Sequence, residues 1–254
     1  MSTRAISLLD HVSAHRTRLI GAVSELSARE FFSVSGKLIP WLAVIGVFLS
    51  MTGLTTGLAD EAVPATTDAA KIGLIHLPTA WIATLLLLSM AFWALLGMVS
   101  ESPLCFLMAQ AVAPTGGMYA FLALWSGSLW NKALTGGWWS GSAREFAMVL
   151  LLGIYVVIVS LPALIEDIRR ADRWAAILAM FGASQVPFVY FLIEWIATVM
   201  GPNDGARMMK MAGGPGMLPM LLVAVGLWCH ATLTGLVRLR CMIVERESGL
   251  RRMP

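Results

Sequence analysis

Residues 72–99 read IGLIHLPTAWIATLLLLSMAFWALLGMV, twenty-eight positions without an Asp, Glu, Lys or Arg. A helix needs about 20 mostly apolar residues to cross roughly 30 Å of hydrocarbon, so this run is long enough to span a bilayer. Five further apolar runs lie around it, at about 38–58, 104–124, 145–165, 174–200 and 217–236, with polar breaks between them. Over the 254 residues, 58% are hydrophobic and 13% charged, and the mean hydropathy is +0.77. A soluble domain of this length has no need of so apolar a chain to fill its core. The fold class is therefore all-α, an integral membrane bundle of six transmembrane helices. One domain over 37–240 holds the spans, with an N-terminal segment at 1–36 before it and a cytoplasmic tail at 241–254 after it.

The N-terminal segment is too polar to cross, yet Leu8, Leu9, Val12, Leu19, Ile20, Val23 and Leu26 recur at helical spacing with Arg16 and Arg18 between them. That pattern predicts an amphipathic helix lying in the membrane interface. The first long apolar run begins only at Leu38 and is long enough to span, which argues against a signal peptide. Of the 18 Lys and Arg, only Lys71, Lys132, Arg144, Arg207 and Lys210 fall on one side of the predicted spans. The positive-inside rule then places both termini in the cytoplasm and the segment between spans 3 and 4 outside, which in a bacterium is the periplasm.

That outer segment, residues 125–144, reads WSGSLWNKALTGGWWSGSAR and carries Trp125, Trp130, Trp138 and Trp139, four of the ten tryptophans. It reads as a loop, an aromatic platform for a flat apolar guest. Each well-placed ring pair contributes about 0.5–1.5 kcal/mol beyond its buried area. His76 is expected in the first turns of span 2 on the same side, where a neutral imidazole can ligate a heme iron. A core histidine bonded to a backbone carbonyl is the equal alternative. His230, deep in span 6, reads as packing, and His11 and His15 as a solvated face. Glu194 is the one acid expected inside a span. It is either functional, as intramembrane carboxylates usually are, or it reaches the hydrated interface. Arg144, at a helix start, stands out among the outer cations as a partner for carboxylates.

Other chemistry has little support. Cys105, Cys229 and Cys241 are odd in number and lack a C-x-x-C pairing, so they offer neither a disulfide framework nor a zinc site. No phosphate-binding glycine loop or nucleophile elbow occurs, and the chain is not expected to be an enzyme. The spans show no internal repeat of the kind transporters use.

Several stretches together resemble a known family. They are Ile39-Pro40-Trp41-Leu42-Ala43, Ile75-His76-Leu77-Pro78-Thr79-Ala80-Trp81, Ala113-Pro114-Thr115-Gly116, Leu129-Trp130-Asn131-Lys132 running without gaps to Gly136-Gly137-Trp138-Trp139 and Ala143-Arg144, and Glu194-Trp195. Over about 37–247 the chain is similar to the heme exporter protein C (CcmC) family of bacterial cytochrome c maturation. The resemblance implies a multi-pass protein of the bacterial inner membrane. Such a protein would receive b-type heme transiently at the periplasmic face, hold it against the tryptophan motif between two axial histidines, and load it onto the heme chaperone CcmE. Its partners would be the transporter subunits CcmA and CcmB and the small protein CcmD.

His76 matches the first of those histidines. The position of the second is Met200. The motif's centre, Trp-Trp-Val-Trp-Asp-Ala-Arg-Leu-Thr in the family, reads Trp138-Trp139-Ser140-Gly141-Ser142-Ala143-Arg144-Glu145-Phe146, and an earlier tryptophan is Thr135. Two functions stay open at this point. In one, heme binds between His76 and a thioether, with Met200 first and Met208, Met209 and Met211 as alternates; methionine ligation raises the iron's potential and favours reduced heme. In the other, the scaffold has lost heme transfer and serves as a structural or assembly subunit of another membrane complex.

Overall fold

The computed structural model describes residues 3–59, 68–100, 102–187 and 217–251. All regular structure among them is helical: α1 (Thr3–Ala59), α2 (Asp68–Ser100), α3 (Pro103–Thr135), α4 (Ala143–Leu164), α5 (Ile168–Pro187) and α6 (Met217–Arg251). Five segments are long and apolar enough to cross a membrane: Glu30–Ala59, Lys71–Ser100, Pro103–Thr135, Ala143–Leu164 and Met217–Arg246. The protein is a multi-pass membrane protein built from helices. The span expected over 174–200 is helical as far as Pro187, and its remaining residues lie outside the described ones.

The chain divides into two compact units, Met1–Trp41 and Leu42–Pro254. In the first, α1 is helical from Thr3, and the Ser35 hydroxyl donates to the Phe31 carbonyl at 2.6 Å. The second unit contains the packed bundle. Its centre is Tyr155 of α4, fully buried against α3 where residue 116 is glycine. A Cβ at Gly116 would lie 2.3 Å from the Tyr155 ring, so no other residue lets the ring rest on that helix. The Tyr155 hydroxyl donates to the Ala83 carbonyl of α2 at 2.8 Å. One side chain thus ties three helices together and leaves its own polar atom satisfied.

Small residues repeat this arrangement elsewhere. On α5, Ala171, Ala175, Ala176, Ala179 and Gly182 form the buried face, and Gly182 sits against Ile154 and Leu87. Where α1 meets α6, a Cβ at Gly53 would come within 2.6 Å of the Pro219 carbonyl, and one at Gly226 within 2.3 Å of the Ser50 hydroxyl. Lipid tails are as apolar as leucine, so helices in a bilayer associate through close backbone approach at small residues rather than through hydrophobic exclusion.

Two boundaries differ from the sequence expectation. Span 3 was expected to end near residue 124, but α3 continues to Thr135 and takes Trp125 and Trp130 with it. The segment 125–135 contains no proline, and its Ser126 and Trp130 face the bundle. Packing of that face outweighs the middling helix propensity of Ser, Gly and Trp. The helix stops at Gly136, which adopts φ 82° and donates its N–H to the Lys132 carbonyl at 2.9 Å, the usual left-handed glycine stop. The loop between spans is therefore only 136–142. The charged break expected over 166–173 is also shorter, because α5 starts at Ile168 and Asp172 is buried on it.

The central wedge predicts an order of effects. Gly116→Ala should destabilise the protein by about 1–3 kcal/mol, the range for overpacking a filled core. Tyr155→Phe removes only an interhelical hydrogen bond, worth on average about 0.6 kcal/mol in membrane proteins. Thermal unfolding in detergent should therefore show the larger loss for Gly116→Ala. The opposite ranking would mean that the hydrogen bond, and not the close approach, holds the bundle.

Candidate functional site

His76 lies in the third turn of α2 and turns toward α3. Its Nδ1 is 3.1 Å from the Ala123 carbonyl oxygen and 3.2 Å from the Ser126 hydroxyl. A carbonyl oxygen can only accept, so Nδ1 carries the proton. The Ser126 hydroxyl gives its own hydrogen to the Leu122 carbonyl at 2.7 Å, which leaves its oxygen free to accept as well. In a neutral imidazole held this way, the lone pair is on Nε2, and that atom has no hydrogen-bond partner among the described residues. Metal-binding histidines are oriented in the same manner, with one ring nitrogen bonded to a carbonyl or carboxylate and the other left for the metal. The two readings of His76 are thus compatible: one nitrogen makes the structural contact and the other remains available.

Gly127 and Trp130 complete the packing around the ring. A Cβ at position 127 would approach the imidazole Cε1 to 2.9 Å, so glycine is what lets the ring lie against α3. Trp130 meets the imidazole edge to face, with centroids 4.9 Å apart at 82°. It is 8% exposed, and its indole N–H is buried without a partner among the described residues. An indole nitrogen is a donor only, and a buried donor left unmade costs about 1–3 kcal/mol. That N–H is an open position for an acceptor beside the imidazole.

The short loop is fastened by a residue that the sequence reading did not single out. The Glu145 carboxylate accepts the backbone N–H of Ser140 at 3.0 Å and of Gly141 at 2.9 Å, and the Asn131 amide of α3 at 3.2 Å. In return the Ser142 hydroxyl, at the N-cap of α4, accepts the Glu145 N–H at 3.4 Å. Gly141 itself has φ 71°, a conformation few other residues adopt cheaply. The signal was present in the sequence as Ser142-Ala143-Arg144-Glu145, the S-x-x-E spacing of a capping box.

Three consecutive residues of α3 therefore point to three parts of the site. Trp130 faces His76, Asn131 holds Glu145, and the Lys132 ammonium stands 3.9 Å from the centroid of the Trp138 ring. Trp138 and Trp139 are 54% and 44% exposed on the loop, and Trp139 packs edge-on against Phe146 at 5.4 Å. Trp125 is exposed on α3 and leans toward Phe121. Among the described residues no ring contact joins any two of these four indoles. The continuous platform expected from the sequence is not formed; a buried imidazole–indole pair and an exposed tryptophan pair take its place. The reason is the extension of α3, which sends Trp125 and Trp130 to different faces of a helix.

Arg144 is the second residue of α4, in its first turn, and is half-buried. His230 of α6 packs as expected, its Nδ1 2.9 Å from the Tyr119 hydroxyl of α3. Glu194, Met200, Arg207, Met208, Met209, Lys210 and Met211 lie outside the described residues, as do the side chains of His11 and His15. No group of three or more His, Cys, Asp or Glu among the described residues could hold a bare metal ion.

Comparison with known proteins adds a consistent result. The family model described as CcmC, heme exporter protein C, matches residues 23–253. A relative named heme exporter protein C from Bradyrhizobium diazoefficiens is 32% identical over 223 residues, covering 85% of this chain and 83% of its own length. One of the same name from Escherichia coli strain K12 is 32% identical over 220 residues, covering 85% and 88%. Another from Haemophilus influenzae is 28% identical over 222 residues, covering 85% and 89%.

The loop geometry makes its own prediction. Glu145→Ala should raise amide exchange at Ser140 and Gly141 by roughly tenfold or more, since hydrogen bonds to a charged group contribute about 1.5–3 kcal/mol. Glu145→Gln, which keeps an acceptor oxygen, should recover part of the protection. Equal exchange in all three proteins would show that the carboxylate does not hold the loop.

Proposed function

This chain belongs to the heme exporter protein C family, and from that premise we propose that it handles heme in c-type cytochrome biogenesis. In this reading it sits in the bacterial inner membrane and presents heme at the periplasmic face for delivery to the chaperone CcmE, alongside CcmA, CcmB and CcmD. Heme is cargo, held and passed on, and the protein is a carrier rather than an enzyme. The observation that carries the reading is the tautomer of His76, set by the Ala123 carbonyl so that the Nε2 lone pair is left free.

The described residues fit a heme at one axial position. His76 Nε2 supplies the ligand atom, and Gly127 leaves room for the ring to stay in place. The unpartnered Trp130 N–H offers a donor to an acceptor on the guest or its bound water. The exposed faces of Trp138 and Trp139 supply apolar surface, with Lys132 beside them for a propionate. Arg144 at the start of α4 is a second cation on the same side, and Glu194 completes the proposed set. Heme iron accepts a second axial ligand, and Met200 is the residue we propose for it. A thioether opposite a neutral imidazole would favour reduced heme.

The alternative, a scaffold that has lost heme transfer, drew its support from the missing motif residues. Glu145, Gly141 and Ser142 weigh against it. The position where the family has an aspartate is Ser142, and a serine serves as an N-cap as an aspartate does. The position of the third indole is a left-handed glycine whose N–H is taken by Glu145. These are mutually fitted replacements, and a loop released from constraint has no reason to keep them.

Purified protein titrated with hemin and then reduced should give a six-coordinate low-spin spectrum. His76→Ala should lower heme retention at least about tenfold, the scale of a lost metal ligand or its support. Met200→Ala should shift the spectrum and lower the potential. Absorption unchanged by both substitutions would remove the ligand assignment, and failure of the unaltered protein to take up heme would remove the function.

A further inference from the structure

A cleft of about 370 Å³ opens between α3, α4, α5 and α6, well away from His76. Gln110 on its wall precedes Trp130 by 20 residues on the same helix, which is about 30 Å at 1.5 Å per residue. The two places are thus at opposite ends of the bundle. The cleft's end is the one that the Lys and Arg count assigns to the cytoplasm.

Most of the wall is hydrocarbon. Ala113, Ile158, Val159 and Ala163 line it within helices long enough to span the bilayer. At its polar edge, Asp172 is only 7% exposed and is already compensated. It accepts from the Gln110 amide and from Arg246, whose Nη2 is 3.3 Å from both carboxylate oxygens. Arg238 is different. It shares a face of α6 with Met242, Glu245 and Arg246, lines the same cleft, and has no ion pair or hydrogen bond among the described residues.

Two prolines add a second requirement. Pro114 and Pro162 both line the cleft and both lie inside helices. Proline has no N–H, so each removes the helical partner of the carbonyl four residues earlier. Those carbonyls belong to Gln110 and Ile158, which are also cleft residues. Within a bilayer such groups must find a donor, because each unsatisfied one costs several kcal/mol. The cleft therefore presents an apolar trough, a guanidinium without an anion among the described residues, and two carbonyls that lack their usual helical donor four residues on.

We propose that this cleft is a binding site for a bilayer phospholipid. The phosphate sits at Arg238, the hydroxyl or ammonium of the headgroup reaches the freed carbonyls, and an acyl chain runs along Ala113, Ile158 and Ala163. A lipid phosphate is the anion always present at that depth of the membrane, and basic clefts between spanning helices on the cytoplasmic side are where such headgroups lodge. The site does not depend on the heme reading.

Native mass spectrometry of the full-length protein in detergent, titrated with phosphatidylglycerol, tests it. The unaltered protein should retain one phospholipid more tightly than Arg238→Gln by about fivefold, the scale of one basic contact to an anionic lipid. Ala163→Phe should block retention by filling the trough; Ala163 is exposed to the cleft, so the larger ring has room and the fold should survive. Arg173→Gln, an exposed arginine on α5 outside the cleft, should behave as the unaltered protein. Equal lipid retention in all four proteins, or no adduct in the unaltered one, overturns the proposal. So does retention of hemin or of a co-purifying polypeptide, in place of phospholipid, that is lost with the same two substitutions.

Discussion

Helices inside a bilayer gain nothing from leaving water, because they have already left it, and what holds them to one another is how closely their backbones can approach. In this protein one of the closest approaches among the described residues is the Tyr155 ring lying on Gly116, with its hydroxyl on the Ala83 carbonyl. That side chain holds α4 against both α3 and α2 and so helps to set those two helices relative to each other. Since α2 bears His76 and α3 bears its partners, the relative placement of those two helices is also the geometry of the site.

The same economy of small residues recurs at the site itself. Gly127 admits the imidazole as Gly116 admits the phenol. Ser126 lends its hydroxyl oxygen after satisfying itself within its own helix, a habit of serine in membrane helices that leaves an acceptor at the helix surface. The result is a histidine whose orientation and tautomer are set by a backbone carbonyl and a serine hydroxyl, with no acidic partner among the described residues.

The loop is closed without two residues of the family's usual motif. Without its third indole and its aspartate, the segment is closed by one carboxylate that gathers two loop N–H groups and an amide from the neighbouring helix. Lys132 steadies Trp138 from the other side. The aromatic pair is thus carried on a short, tied loop of seven residues.

How much of this was legible in the chain itself depends on the range of the interaction. Membrane insertion, helical class and the approximate spans follow from runs of apolar residues, because the cost of exposing backbone to hydrocarbon is paid locally. His76 stood out by its position near the end of such a run and Trp130 as one of four tryptophans clustered in one short segment, and the cap at Ser142 and Glu145 was written in four consecutive letters. The tertiary structure alone decided what those residues meet. Ala123 and Ser126 lie 47 and 50 residues from His76, and nothing in either stretch announces the pairing. Residues 125–135 became helix because one face of them found α2, against the weak preference of the segment on its own. Asp172 left its expected loop because Arg246 pairs with its charge and the Gln110 amide donates to it in the bundle. Composition and periodicity determined that the chain crosses the membrane as helices; which side chains share a wall was set by close packing between segments distant in sequence, where complementary shape rather than local preference carries the energy.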